Sequence, residues 1–223
     1  MAARYAELHA LSNFTFLRGA SHPEELVETA AVLGYDALAI TDECSMSGIV
    51  RAHAAARTHG LKKLIIGSEL QLRSGRKLVA LARNRNGYAA LCRLVTNARR
   101  AADKGSYELT RQAFDDGLPD CFVLWVPGPD LTLDVEDHWL REMFRDRLWI
   151  AVELLADGRQ HEQLARLREE GRRLRLPLVA SGDVHMHCRA RRILQDALTA
   201  IRHGTTVDKA GFALYPNGER HLR

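Results

Sequence analysis

The chain has 223 residues and a mass of 25.0 kDa, and its 46% hydrophobic and 27% charged residues are typical of a folded globular protein and exclude a disordered chain. A net charge of +4 and a pI near 9.0 favour contact with polyanions only weakly. The four cysteines are scattered without C-x-x-C spacing, which excludes zinc-ribbon and thiol-redox sites. No apolar run approaches the roughly 20 residues of a membrane span, and charged residues interrupt the apolar core that a signal peptide would need, so we expect a cytoplasmic protein without membrane contact.

Strand and helix patterns alternate along the chain after an opening strand that ends near Leu11. Ser21-His22-Pro23-Glu24 matches a capping box and predicts the start of the first helix, which Gly34 is placed to end. Later strands are predicted at residues 36–41, 64–68, 78–82, 122–126, 149–154 and 177–181, and later helices at 46–59, 88–101, 135–144, 160–174 and 189–201. Seven strands with interleaved helices predict an α/β fold with a largely parallel sheet, most simply closed into a barrel.

Carboxylate and imidazole side chains come directly after the predicted strands. They are His9, Asp42, Glu43, Glu69, Glu153, Asp183 and His185. The carboxyl ends of the strands of a β/α barrel share one rim, so we expect these side chains to converge there. Such groups bind Zn²⁺, Mn²⁺ or iron and activate a water for attack on a phosphoester, so the pattern points to a hydrolytic metal site.

Four short motifs stand out in chain order: residues 7–12, 41–43, 67–69 and 183–185. Together they resemble the metal-site motifs of the PHP (polymerase and histidinol phosphatase) domain. Residues 81–91 and 197–204 are similar to the PHP domains that begin bacterial C-family DNA polymerase α subunits, and residues 12–21 and 211–220 are most similar to the error-prone, damage-inducible branch of those subunits. The resemblance covers nearly the whole chain. It implies a distorted seven-stranded (β/α)7 PHP barrel, which holds up to three metals in members with a full ligand set.

The chain departs from the family's ligand pattern at several positions. Leu11 stands where the first motif has its second histidine, Arg18 stands where a later ligand is expected, and Glu43 replaces the histidine of the second motif. A further expected histidine is missing, since none occurs between His59 and His138. Leucine cannot ligate a metal, and arginine is permanently protonated, so the resemblance implies a degenerate site.

The remaining metal-ligand candidates are His9, Glu69, Asp183 and His185, with Glu43 as a substitute carboxylate. Two interpretations stay open: residual Zn or Mn binding, and a hydrogen-bonded cluster without a ligand. We expect no cofactor in this fragment and assign no catalytic residue. Clustered carboxylates repel one another, so we hypothesise that Arg18 pairs with Glu43, Glu69 or Asp183 and keeps the rim ordered without metal.

The resemblance also implies a domain division and a function. Residues 1–205 would be the PHP domain, and residues 206–223 a linker leading toward an absent polymerase palm domain. The parent protein would be a DNA-directed DNA polymerase that uses Mg²⁺ and copies damaged DNA by translesion synthesis during damage-induced mutagenesis. Its partners would be DNA, the sliding clamp and mutasome accessory proteins. The fragment itself would contact the rest of the polymerase chain as an inactive structural scaffold.

Two other functions remain open from the sequence. One is an active metal-dependent phosphoesterase, either a 3′–5′ exonuclease or a small-phosphate phosphatase. The other is a protein-binding module, which would bind no metal and would expose a large apolar patch on the outside of the barrel.

Overall fold

The computed structural model describes residues 4–128 and 138–223, and in it seven strands form one sheet in sequential order. The strands are β1 Ala6–Glu7, β2 Ala37–Ile40, β3 Leu64–Gln71, β4 Lys77–Ala82, β5 Cys121–Val126, β6 Leu148–Val152 and β7 Leu178–Ala180. Four of the six neighbouring pairs are parallel, as a largely parallel sheet requires. The exception is β4, which is antiparallel to both β3 and β5 because only a short turn, with no helix, joins β3 to β4.

Hydrogen bonds between the first and last strand ends bring the sheet round into a nearly closed barrel. Ala10 forms a parallel bridge with Val184. The Leu11 amide donates to the Val184 carbonyl at 2.7 Å, and the Val184 amide donates to the His9 carbonyl at 2.9 Å. These bonds satisfy backbone groups at what would otherwise be two sheet edges. The predicted seven-stranded α/β barrel is therefore confirmed.

Six α-helices lie among the described residues: α1 Pro23–Val32, α2 Ile49–His59, α3 Arg85–Arg100, α4 His138–Phe144, α5 Gln160–Leu174 and α6 Arg192–Arg202. The predicted cap of α1 is wrong by one residue. His22 is the N-cap, and the Glu25 carboxylate accepts from its backbone amide at 2.8 Å. The Ser21 hydroxyl instead accepts from the His187 amide at 2.9 Å. The predicted start of α4, at residue 135, lies outside the described residues.

The inside of the barrel holds a small apolar cluster, made of Ala39, Val79, Leu81, Leu124, Val126 and Ala151. Two larger apolar clusters lie between the sheet and the surrounding helices. Because the strands bury both faces, they carry nearly continuous apolar runs, as buried parallel strands do. None of the described helices has the length and apolarity needed to cross a membrane.

The last residues of the chain pack against the barrel. Met186 forms a bridge with His221, and the amides of His185 and Met186 donate to the Arg220 carbonyl at 2.9 and 3.1 Å. Leu222 is buried in one of the large apolar clusters. This packing places residues 220–222 on the folded barrel, and the linker role of residues 206–223 stays a prediction.

Candidate functional site at the barrel mouth

His9 lies at the centre of the barrel mouth and is fully buried. Its Nδ1 atom is 2.7 Å from Glu153 Oε1, and its Nε2 atom is 2.9 Å from Glu69 Oε2. Burial alone would lower the pKa of His9, but the charges and hydrogen bonds of Glu153 and Glu69 outweigh it and raise the pKa to about 10. At neutral pH this raised pKa favours the protonated ring, in which both nitrogens donate to carboxylates.

Arg18 reaches into the mouth from the loop that comes after β1. Its Nη1 atom is 2.5 Å from both Glu43 Oε2 and Glu69 Oε1, and its Nη2 atom is 3.2 Å from Glu69 Oε2. Burial lowers the pKa of Arg18, but the charges of Glu69 and Glu43 more than compensate, and the net shift is upward. The hypothesis that Arg18 pairs with the rim carboxylates is confirmed for these two. Asp183 acts on Arg18 through its charge, without a described hydrogen bond.

Two further cations contact the same carboxylates. Lys77 Nζ is 3.3 Å from Glu69 Oε2, and Arg220 Nε donates to Asp183 Oδ2 at 2.8 Å. Burial raises the pKa of Glu69, but the His9 hydrogen bond and the Arg18 charge bring it well below its usual value. Burial also raises the pKa of Asp183, but its contact with His185 and the charge of Arg220 bring that pKa well below its usual value too.

We call this set the mouth cluster. It consists of four carboxylates and four cations: Glu43, Glu69, Glu153 and Asp183, with His9, Arg18, Lys77 and Arg220. Each carboxylate contacts at least one of the cations. With His9 protonated, these eight described side chains carry four negative and four positive charges.

His185 lies beside the cluster and has a different charge state from His9. Its Nε2 atom donates to Asp183 Oδ1 at 3.0 Å, while its buried Nδ1 atom has no hydrogen-bond partner among the described residues. Burial outweighs the attraction of Asp183 and lowers the pKa of His185 to about 4, so the ring is neutral at pH 7. The Tyr215 ring packs edge-on against it at 5.2 Å, and Arg220 lies over the Tyr215 ring at 4.1 Å.

A buried carboxylate below the mouth joins the two strand ends that close the barrel. Glu7 Oε1 accepts from the backbone amides of His9 at 2.9 Å and Gly182 at 2.8 Å, and Glu7 Oε2 accepts from the Tyr5 hydroxyl at 2.8 Å. Burial raises the pKa of Glu7. A side chain at position 182 would collide with this carboxylate, because a Cβ there would lie 2.5 Å from Glu7 Oε2. Glu7 therefore holds the backbone that presents His9 and Asp183.

Three of the predicted ligand candidates come close enough together to share one ion. Donor atoms of His9, Glu69 and Asp183 lie within 4.8 Å of one another. Glu43 is engaged elsewhere, since its Oε1 accepts from the Tyr107 hydroxyl at 2.7 Å and its Oε2 from Arg18. His185 lies next to Asp183 but outside this group of three.

Two sequence-based expectations about the rim are corrected by the structure. Asp42 turns away from the mouth, where its carboxylate accepts from the Ser12 amide at 2.7 Å and the Thr15 hydroxyl at 2.7 Å and so holds the loop that carries Arg18. Glu69 lies inside β3, which extends to Gln71, and not beyond its end. Leu11, at the position of a lost ligand, is fully buried.

Sequence reasoning missed Lys77 and Arg220. Lys77 begins β4, and because β4 is antiparallel to its neighbours, the start of this strand, opposite Gln71 of β3, lies at the mouth. A search limited to the residues just past the carboxyl end of each strand cannot find a residue at a strand's start. Arg220 belongs to the segment that was predicted to be a linker, and no local pattern marks its contact with Asp183.

Comparison with known proteins identifies close relatives of the sequence. The family model described as the PHP domain matches residues 7–168. The chain is 57% identical to an error-prone DNA polymerase of Dechloromonas aromatica, over 98% of this chain and 22% of that protein. It is 56% identical to the error-prone DNA polymerase of Methylococcus capsulatus, over 99% of this chain and 21% of that protein, and 54% identical to that of Pseudomonas aeruginosa, over 98% and 21%. The chain thus spans about a fifth of the length of these relatives.

Two solved structures share the fold at low sequence identity. One is described as a metal-dependent phosphoesterase from Bifidobacterium adolescentis, with a TM-score of 0.55 and 18% identity over 82% of this chain and 88% of that chain. The other is an amidohydrolase from Chromobacterium violaceum with bound sulfate, with a TM-score of 0.56 and 17% identity over 81% of this chain and 87% of that chain. At such identities these likenesses establish the fold alone. The family match and the mouth motifs agree, and the chain belongs to the PHP domain family.

Proposed function

We propose that the chain is the PHP domain of an error-prone DNA polymerase, and that within this polymerase it is a structural scaffold whose metal site is degenerate. The names of relatives more than 50% identical over nearly the whole chain support the first part. The observation that carries the second part is the surroundings of His9, whose two nitrogens lie 2.7 and 2.9 Å from carboxylate oxygens of Glu153 and Glu69. Arg18 and Arg220 contact Glu69 and Asp183 in the same cluster.

A cluster of two or three metals does not fit the residues of the mouth. Binding even one ion to His9, Glu69 and Asp183 would require His9 to lose a proton that its neighbours hold up to a pKa of about 10. The ion would also have to displace Arg18 from Glu69 and Arg220 from Asp183. Removing one partner of a buried ion pair is costly, because the other is left without compensation.

Helix α6 supports a scaffold role, because its outer side exposes large apolar side chains. The helix packs on the protein through the buried Gln195, Thr199 and Ala200, while Ile193 and Ile201 on its outer side are 81% and 62% exposed. Leu194, on the same side, is 40% exposed. We call Ile193, Leu194 and Ile201 the α6 face. An exposed apolar surface of this kind marks a protein interface, and the remaining four fifths of the relatives' length offers a partner in the same polypeptide.

The whole-protein activity that we propose comes from this relationship. The polymerase would use Mg²⁺ to add nucleotides opposite damaged bases, in translesion synthesis that serves DNA repair and damage-induced mutagenesis in the cytoplasm. DNA, the sliding clamp and mutasome accessory proteins would be its partners. The linker that we propose for residues 206–223 would lead to the catalytic palm.

The second candidate is a metal-dependent phosphoesterase, a 3′–5′ exonuclease or a small-phosphate phosphatase. It is favoured by the 4.8 Å spacing of the donors of His9, Glu69 and Asp183. A cavity of about 310 Å³ beside Glu153, lined by Arg159 among others, would have room for a phosphate group.

One set of measurements on the 223-residue chain separates the two functions. We expect elemental analysis after incubation with Mn²⁺ or Zn²⁺ and gel filtration to find less than stoichiometric metal. We also expect no turnover of 4-nitrophenyl phosphate or of a single-stranded 3′ DNA end. Stoichiometric metal together with turnover that is lost in Asp183→Asn, and kept in the exposed control Asp103→Asn, would replace the scaffold function by the phosphoesterase.

A further inference from the structure

The end of the barrel opposite the mouth cluster contains an apolar cavity of about 740 Å³, which we call the basal cavity. It lies where β3 begins and β4 ends, at Leu64 and Ala82, as the antiparallel pairing of these strands requires. Its volume is within the range of small-molecule and peptide-anchor sites, which is about 300–1,000 Å³. The proposed polymerase function makes no use of it.

The floor of the basal cavity is apolar and incompletely covered. Ile65, Trp149 and Val179 line it and are only half-buried, although they pack against the apolar cluster inside the barrel. Leu81 and Leu124 of that cluster also line the cavity. An apolar group that entered the cavity would bury these surfaces, and burial of apolar surface favours binding.

The charged residues that line the rim of the basal cavity, among those that the structure describes, are all cations. They are Lys63, Arg83 and Arg85. Within the described parts of the chain, none of these three forms an ion pair. Arg83 stacks over the Phe122 ring at 4.8 Å, and Phe122 in turn packs edge-on against Trp149 at 5.2 Å. This stacking holds one guanidinium directly above the apolar floor.

The cations come from two neighbouring segments of the rim. Lys63 precedes β3, whereas Arg83 and Arg85 flank Asn84 at the start of α3. The Asn84 side chain caps α3 by accepting from the amides of Asn86 at 2.9 Å and Gly87 at 3.1 Å, so the positive end of this helix also lies at the rim. Three cations on two segments offer contacts to several carboxylates of one peptide, whereas a single anionic head group would leave part of this charge uncompensated.

We propose that the basal cavity binds an acidic peptide segment that inserts one bulky apolar side chain into the barrel. The apolar floor takes the side chain, and Lys63, Arg83 and Arg85 contact the flanking carboxylates. This binding depends only on the apolar floor and the charge of the rim. The proposal therefore does not rest on the proposed polymerase function.

The test uses a fluorescein-labelled peptide with a central Leu-Phe-Leu and aspartates on both sides. We expect saturable binding by fluorescence anisotropy, weakened at least about tenfold when NaCl rises from about 50 to about 500 mM. Peptides with serines at the centre, or lysines in place of the aspartates, should not bind. On the wild-type chain, NMR shifts should centre on the Ile65 and Val179 methyl groups and the Trp149 indole.

Charge-reversed variants supply the matched comparison. Arg83→Glu with Arg85→Glu should weaken binding at least about tenfold, whereas Arg57→Glu with Arg172→Glu, the same change of charge at exposed helix positions, should leave it within about twofold. Equal binding by the first pair and the wild type would overturn the proposal. NMR shifts located away from the basal cavity would overturn it as well, and so would binding of dodecanoate in the absence of any peptide binding. The NMR result on wild type remains decisive if a variant misfolds.

Discussion

Arg220 donates from Nε to Asp183 Oδ2 at 2.8 Å, which ties the last residues of the chain to the centre of the mouth cluster. Both side chains are largely buried, at 14% and 8% exposure. We expect Arg220→Gln to lower the free energy of unfolding by about 3 kcal/mol, because it leaves a buried carboxylate without its cation. Urea unfolding followed by circular dichroism measures the change.

Arg189→Gln is the matched control for this prediction. Arg189 also belongs to the carboxyl-terminal part of the chain and pairs with Glu219 at 3.3 Å, but its side chain is 69% exposed. An exposed pair contributes little, and we expect a change below about 1 kcal/mol. Equal effects of the two substitutions would mean that the contact between Arg220 and Asp183 does not hold the tail on the barrel.

Arg18 should be needed for stability rather than for chemistry. Arg18→Gln removes the guanidinium shared by Glu43 and Glu69, and we expect it to destabilise the chain by about 3 kcal/mol. Arg18→Lys should recover part of this loss, since it restores the charge but not the fork of donors. Arg51→Gln, which breaks the exposed ion pair with Glu24, should cost less than about 1 kcal/mol in the same denaturation experiment.

Removal of metal should leave the chain unchanged. If side-chain cations neutralise the mouth cluster, excess EDTA should shift Tm by less than about 1 °C, because no bound ion contributes to the stability of the folded state. A structural metal held well above its Kd would add several kcal/mol, and its removal would lower Tm by many degrees. Differential scanning calorimetry with and without EDTA distinguishes these outcomes.

The sequence predicted features that depend on local pattern. The seven strands arise from apolar runs between turn signals, and α5 lies at residues 160–174 as predicted. The pairing of Arg18 could be inferred from charge. The guanidinium of an arginine in a loop beside a cluster of carboxylates needs anionic acceptors, and these carboxylates supply them.

Features that depend on tertiary packing could not be predicted in this way. The reversal of β4 brings Lys77 to the mouth, and the return of the tail brings Arg220 there. Asp42 was expected at the rim, but its carboxylate instead accepts hydrogen bonds from the hydroxyls of Ser12 and Thr15. The contacts of Arg220 and Asp42 join segments that are 37 and 30 positions apart. The turn before Lys77 is short, but its effect depends on how β4 pairs with both neighbouring strands.

The α6 face should be dispensable for the fold of this chain. Ile193→Ser with Ile201→Ser replaces side chains that are 81% and 62% exposed, so we expect the free energy of unfolding to change by less than about 0.5 kcal/mol per site. In the full-length polymerase that we propose, the same pair should speed proteolytic release of the PHP domain. Val32→Ser with Val50→Ser, at 82% and 77% exposure on other helices, should not. Unchanged proteolysis would exclude α6 as the contact with the rest of the polymerase.

The two buried histidines should make stability depend on pH in opposite directions. The pKa of His185 is lowered from 6.5 to about 4, so the unfolded chain binds a proton more tightly there. Its contribution to stability is present above pH 6.5 and is lost as the pH falls toward 4. Acid should therefore destabilise the chain, with the lowered pKa values of Glu69 and Asp183 adding to this at still lower pH.

His9 should make the chain less stable in mild alkali. Its pKa is raised from 6.5 to about 10, so its contribution is complete below pH 6.5 and is lost as the pH rises through 10. The titration of one group changes the free energy of unfolding by at most about 1.4 kcal/mol per pH unit. Between about pH 6.5 and 8.5 thiols and lysines contribute little to this change, because most of them stay protonated. We expect urea unfolding to show this decline in wild type and in the exposed control His53→Gln, but not in His9→Gln. An NMR titration in which the His9 ring loses its proton near pH 6.5 would contradict the protonated state on which the proposed degenerate metal site depends.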